Sequence, residues 1–165
     1  RELEAGLKLE PGAAGLAVNL ADIYRNTGRE AEAERLLRDT LAVTFDPAPL
    51  HHALGLSLVR QKRSQEALAE LEEAVRLASD NARFAYVLAV ALQSLGDQAQ
   101  SQKVLAEALK RNPNDVDLLG LALNAALNRR DLAAASADAE RLSTLRPDDQ
   151  SLAGLLARLR GAQKR

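Results

Sequence analysis

A recurrence every 34 residues runs through the chain and constrains it more than any other feature. Steps of 34 link Pro147 to Pro113, Ser79, Phe45 and Pro11, so three of five equivalent positions are proline. The same step links Ala33, Ala67, Ser101 and Ala135; Leu37, Leu71, Leu105 and Ala139; and Ala21, Gly55, Ala89 and Leu123. A fixed period of this size belongs to stacked helical pairs, each unable to bury its apolar face alone, and not to a closed globular core. Alanine, leucine and valine dominate a composition that is 47% hydrophobic but only 2% aromatic. Such residues favour helix, and so few aromatics argue against a β-sandwich.

Each period reads as two helices. In the first, an apolar stretch over residues 16–24 ends at Asn26-Thr27-Gly28, a turn with a helix-stopping glycine. A second helix over 30–43 places Ala33, Leu36, Leu37, Thr40 and Leu41 on one face, and Pro47 and Pro49 forbid its continuation. Later turns fall at Gln61-Lys62-Arg63-Ser64, Gly96-Asp97 and Arg129-Arg130-Asp131, with Ser64, Asp97 and Asp131 as expected helix caps. The units are 14–47, 48–81, 82–115 and 116–149, together one domain over 1–165. Residues 1–11 read as the second helix of a truncated pair, with Leu3 and Leu7 exposed and open to self-association at that edge. Residues 150–161 form a capping helix with Leu152, Leu155, Leu156 and Leu159 on one face, followed by the polar tail Gln163-Lys164-Arg165. The chain has no methionine, so Arg1 is expected to follow further sequence in a longer protein. Of 22 basic residues 17 are arginine, which with abundant alanine points to a GC-rich bacterial source.

In register along the whole chain, these residues resemble the tetratricopeptide repeat (TPR) family. Leu54-Gly55 with Leu58, Ala67, Leu71 and Ala74, then Leu88-Ala89 with Leu92, Ser101, Leu105, Ala108 and Pro113, carry the resemblance best. Leu20-Ala21 with Tyr24, Ala33 and Leu37 match until Thr40 and Phe45. Ala122-Leu123 with Ala139 and Leu142 exchange small and large positions, which implies local repacking. The resemblance implies an all-α, right-handed superhelical solenoid of antiparallel A and B helices whose concave groove is lined by A helices. Groove positions would be Val18, Asp22 and Arg25; His52, Leu56 and Val59; Tyr86, Val90 and Gln93; and Gly120, Asn124 and Leu127. It further implies a non-catalytic scaffold that binds a peptide or helix of a protein partner there. TPRs that clamp acidic chain ends use lysine and asparagine at positions held here by Val18 and Asp22, which argues against that role. The stretch 81–97 is also similar to TPR tails of bacterial multidomain proteins, some with multihaem cytochrome modules. The alternative is therefore an architectural tail packed on other domains.

Little else carries chemistry. Without cysteine there is no disulfide, thiol nucleophile or c-type haem attachment in this chain. His51 and His52, as helix neighbours, point about 100° apart and cannot share a metal. Glu72-Glu73 and Asp148-Asp149 lack an apolar pocket beside them. They read as a solvated face, with Glu72 spaced to pair with Arg76, and as the acidic start of the capping helix. No enzyme activity, metal or cofactor is expected. A net charge of −1 and basic pairs isolated in turns, Lys62-Arg63 and Arg129-Arg130, argue against nucleic acid. No apolar run suffices for membrane insertion. Tyr24 is expected in the core and Tyr86 against a partner.

Overall fold

The structure, a computed structural model, describes residues 1–163. The expected tail residues Lys164 and Arg165 lie outside the described residues. The described residues form ten α-helices and no strand: α1 (Glu2–Leu9), α2 (Ala14–Asn26), α3 (Glu30–Leu41), α4 (Ala48–Arg60), α5 (Ser64–Leu77), α6 (Ala82–Ser94), α7 (Gln98–Arg111), α8 (Val116–Asn128), α9 (Leu132–Leu145) and α10 (Gln150–Gln163). They gather into two compact units, Arg1–Gly96 and Asp97–Arg165, divided at the turn after α6.

The turns share one device. Gly28 and Gly96 adopt φ of +76° and +85°, and Lys62 and Arg130 adopt +61° and +59° at the same point of the period. A left-handed residue there ends the first helix of a pair and frees the chain to reverse. Glycine takes this conformation without cost, whereas a side chain costs about 1–2 kcal/mol. The caps differ between pairs. Asp97 accepts from the Gln100 N–H at 2.9 Å and Asp131 from Ala134 at 3.0 Å. Ser64 does not cap: α5 begins at Ser64 itself and Arg63 occupies the cap position. Arg63 instead grips Glu66 at 2.6 Å, as Arg29 grips Glu32 at 2.5 Å one period earlier. The acid in the first turn then serves the helix dipole.

In the first unit the core joins Ala17, Ala21, Ala33, Leu37, Leu50, Leu54 and Leu58. α4 and α5 close tightest at Gly55. A Cβ there would stand 2.6 Å from Leu71 Cγ and 3.3 Å from the Ala67 carbonyl, so only glycine fits. Leu3 and Leu7 are half-buried, not exposed as expected, and Leu7 packs on this core. Gly6 permits it by letting the Leu16 side chain approach to 2.8 Å of the absent Cβ. The exposed leucine of α1 is Leu9. Tyr24 packs against the same core and donates to Glu4 at 3.2 Å, with the Arg29 guanidinium 4.1 Å above its ring. Arg76 pairs with Glu73, three residues away at 2.5 Å, and not with Glu72; both spacings lie within reach on a helix.

In the second unit Leu119, Leu123, Ala126, Ala135, Ala139 and Leu142 meet Leu152, Leu156 and Leu159 of α10. Asp149 starts α10 by accepting from the Ser151 and Leu152 N–H groups at 3.0 and 3.3 Å. Arg160 on its outer side reaches Glu140 at 3.1 Å.

Candidate functional site

The expected partner-binding residues divide between the units. Nine lie on α2, α4 and α6 of the first unit, at matching turns one period apart, while Asn124 lies exposed on α8 of the second, with Gly120 and Leu127 half-buried there. The nine differ sharply in what remains free to bind.

On α2 the expected positions are already spent. Val18 packs on the first core. Arg25 is buried, ion-pairs with Asp22, and donates through Nη1 to the Ala53 carbonyl at 2.7 Å. Burial pulls its pKa down, and Glu30 pushes it back. Arg60 of α4 completes the arrangement by donating to Glu30 at 2.7 Å and to the Arg25 carbonyl at 3.2 Å. Arg25 was expected as a groove residue; it is a strut between α2 and α4. Arg60 and Glu30, the partners that fix it, carry no signal in the period because their counterparts one step on are Ser94 and Ser64.

His52 is likewise interior. Its ring stacks on Phe84 of α6 with centroids 4.4 Å apart and planes 21° apart, and its Nδ1 is buried without a partner. A proton on that atom would be a buried donor with no acceptor, and without one it is a buried acceptor with no donor. Burial, then the charges of Arg83 and Arg25, push its pKa down to about 4. Phe84 repeats the buried positions Leu50 and Leu118, so its burial was legible but its stacking on His52 was not. His51, by contrast, donates through Nδ1 to Glu70 at 2.7 Å.

Apolar surface remains on α4 and α6. Val59 and Val90 are exposed, Leu56, Tyr86 and Gln93 half-buried. Leu56 and Val90 are one period apart, as are His52 and Tyr86, so successive helices present the same turn. A surface of this make-up offers apolar contact and one phenol, and no fixed charge at its centre. It holds no nucleophile–base pair. Among the described residues, no group of three or more His, Cys, Asp or Glu could hold a metal, and no helix is long and apolar enough to cross a membrane.

Two family models, each described as tetratricopeptide repeat, match residues 58–122 and 14–44. No curated protein matches the sequence at a significant level. Among solved structures, the chain is similar to YrrB, a TPR protein with an unusual peptide-binding site, at TM-score 0.74 and 16% identity over 99% of this chain and 84% of that one. It is similar to PilW, a widely conserved type IV pilus biogenesis factor, at TM-score 0.75 and 18% identity over 93% and 72%. It is also similar to MamA from Desulfovibrio magneticus RS-1, at TM-score 0.69 and 16% identity over 92% and 85%.

Proposed function

From the premise that the chain belongs to the tetratricopeptide repeat family, we propose that it is a non-catalytic scaffold binding a peptide or helix of a protein partner on α4 and α6, about Leu56, Val59, Tyr86 and Val90. The observation that carries this reading is the pair of solvent-exposed valines, Val59 at 46% and Val90 at 39% exposure, on successive first helices beside a half-buried tyrosine. The core does not need these side chains, and an amphipathic ring loses little entropy when it anchors a ligand. Likeness of fold to a TPR structure with a peptide-binding site supports the class of partner. Asp22, Arg25 and His52 act in this reading as the rigid floor, their polar atoms committed or buried.

Affinity is modest, because a few apolar anchors on a shallow surface leave little surplus over the cost of association. It depends weakly on salt, since the anchors carry no charge. The test is selection of peptides from a random library on the purified chain, followed by Tyr86→Ala. A loss of about 1–2 kcal/mol in binding with unchanged melting is expected. Normal binding by Tyr86→Ala, together with abolition by charge reversal at Lys62 and Arg63, would move the active surface to the turn edge.

A second reading, an architectural domain packed on other parts of a larger protein, draws on different residues. Phe45, Val43 and Leu9 are exposed at 104%, 53% and 89%. In this reading they meet a neighbouring domain, and Phe45→Ser improves solubility of the isolated chain without touching peptide binding.

A further inference from the structure

The second unit carries a cleft of about 250 Å³ between α7, α8 and α9. Half of its lining is alanine, Ala106, Ala122, Ala125 and Ala134 among them, beside Leu105 and Leu109, with Gln102, Arg129 and Asp138 as the polar groups. Asp138 is the unusual member. Its side chain is only 18% exposed, and among the described residues it makes one ion pair, with Arg141 at 3.9 Å. Arg141 gives its other terminal nitrogen to the Pro113 carbonyl. Arg129 is likewise occupied: with the Gln102 amide turned to accept, its Nη1 and Nε lie 2.9 and 3.2 Å from that oxygen. Burial raises the Asp138 pKa against the opposing pull of Arg141 and Arg129, so the carboxylate is under-compensated where it stands.

The first unit contains the same place in a filled state. Two periods before Asp138 stands Glu70, which meets His51 at 2.7 Å and Arg38 at 4.0 Å. Arg38 also reaches Glu34 at 3.0 Å. The counterparts of these two partners in the second unit are Leu119 for His51 and Ala106 for Arg38. The acid has been kept while its arginine and histidine partners are replaced by apolar residues, and Ala106 now lines an open cleft. Methyl walls suit the methylenes of a long stem, and the carboxylate suits the head.

We propose that this cleft is a binding site for an arginine side chain of a partner polypeptide, its stem against Ala106, Ala122 and Ala125 and its guanidinium at Asp138. The guanidinium of the guest takes the place that Arg38 holds beside Glu70. This site is independent of the apolar surface on α4 and α6, and Tyr86→Ala leaves it intact.

The test titrates the full chain, methyl-labelled at alanine, with N-acetyl-arginine amide and with its neutral isostere N-acetyl-citrulline amide. The arginine probe shifts the Ala106, Ala122 and Ala125 methyls, and the citrulline probe binds about tenfold more weakly. Asp138→Asn, which keeps the shape, reduces arginine binding to the citrulline level. In a second arm, Ala106→Arg supplies the missing side chain internally. It raises the melting temperature, lowers the titration midpoint of Asp138 and abolishes the probe-induced shifts. Equal binding of the two probes, unchanged binding by Asp138→Asn, absence of any methyl shift, or an Asp138 titration unmoved by Ala106→Arg would each overturn the proposal.

Discussion

The imidazole of His52 is held neutral by its surroundings: a stacked phenyl ring, a buried Nδ1 without an acceptor, and the cations Arg83 and Arg25. Its pKa of about 4 in the fold lies below the 6.5 of a free histidine. Below the higher value the unfolded chain takes a proton that the folded chain refuses. The contribution to stability is therefore full above 6.5 and is lost as pH falls from there toward 4. At pH 5 the loss is about 2 kcal/mol. His52→Phe keeps a ring against Phe84 and cannot titrate. Denaturant melts should show the wild-type chain losing about 2 kcal/mol more than the variant between pH 7 and pH 5. Equal losses in the two proteins would show that His52 takes up its proton in the fold as readily as in the unfolded chain.

Between elements, the close approach inside a pair is solved twice with opposite sizes. In the second pair Gly55 receives the fully buried Leu71. Two periods later Leu123 and Ala139 occupy the same places, and both are buried in the second core. The exchange in size that the sequence displays is therefore a compensated one, and the local repacking it implied is seen in that core. Leu123→Ala alone should cost about 2–4 kcal/mol through the cavity it leaves. Ala139→Leu alone should cost about 1–3 kcal/mol through overpacking. Combined, the two give the alanine-facing-leucine arrangement of Ala89 and Leu105 one period earlier, and a double-mutant cycle should return a favourable coupling of about 1–3 kcal/mol. Additive losses would mean that the two side chains do not share a space.

At the scale of the whole molecule, stability in a repeat protein is a sum over neighbours, so helices that bury least open first. α1 has eight residues and none of them is fully buried, whereas α4 buries eight residues of its thirteen. Amide exchange in Glu2–Leu9 should be the fastest of the helices of the first unit, even though Leu3 and Leu7 are half-covered. Protection there equal to that of Leu54 and Leu58 in a dilute monomer would refute this. The same measurement on the second unit should show slow exchange in α8, whose Leu118, Leu119 and Leu123 are buried.

The sequence by itself determined the helices, their turns and the family, because each rests on a local rule repeated at a fixed spacing: a left-handed turn residue, a small residue facing a large one, a proline after the second helix. It also placed α2, α4 and α6 as the helices that present matching turns. Which side chains on those turns are free was decided only by tertiary structure. Arg25 lies at the same helical position as Val59 and Gln93, yet Asp22 and the Ala53 carbonyl bury it while Val59 stays in solvent. His52 shares its place with Tyr86, yet Phe84 covers it. The Asp138 cleft was beyond a reading of single repeats as well. It depends on the small residue at Ala106, which matters only because the fold brings that position into one cleft with the Asp138 carboxylate. Period and propensity act along the chain, whereas burial and charge compensation depend on what another helix supplies.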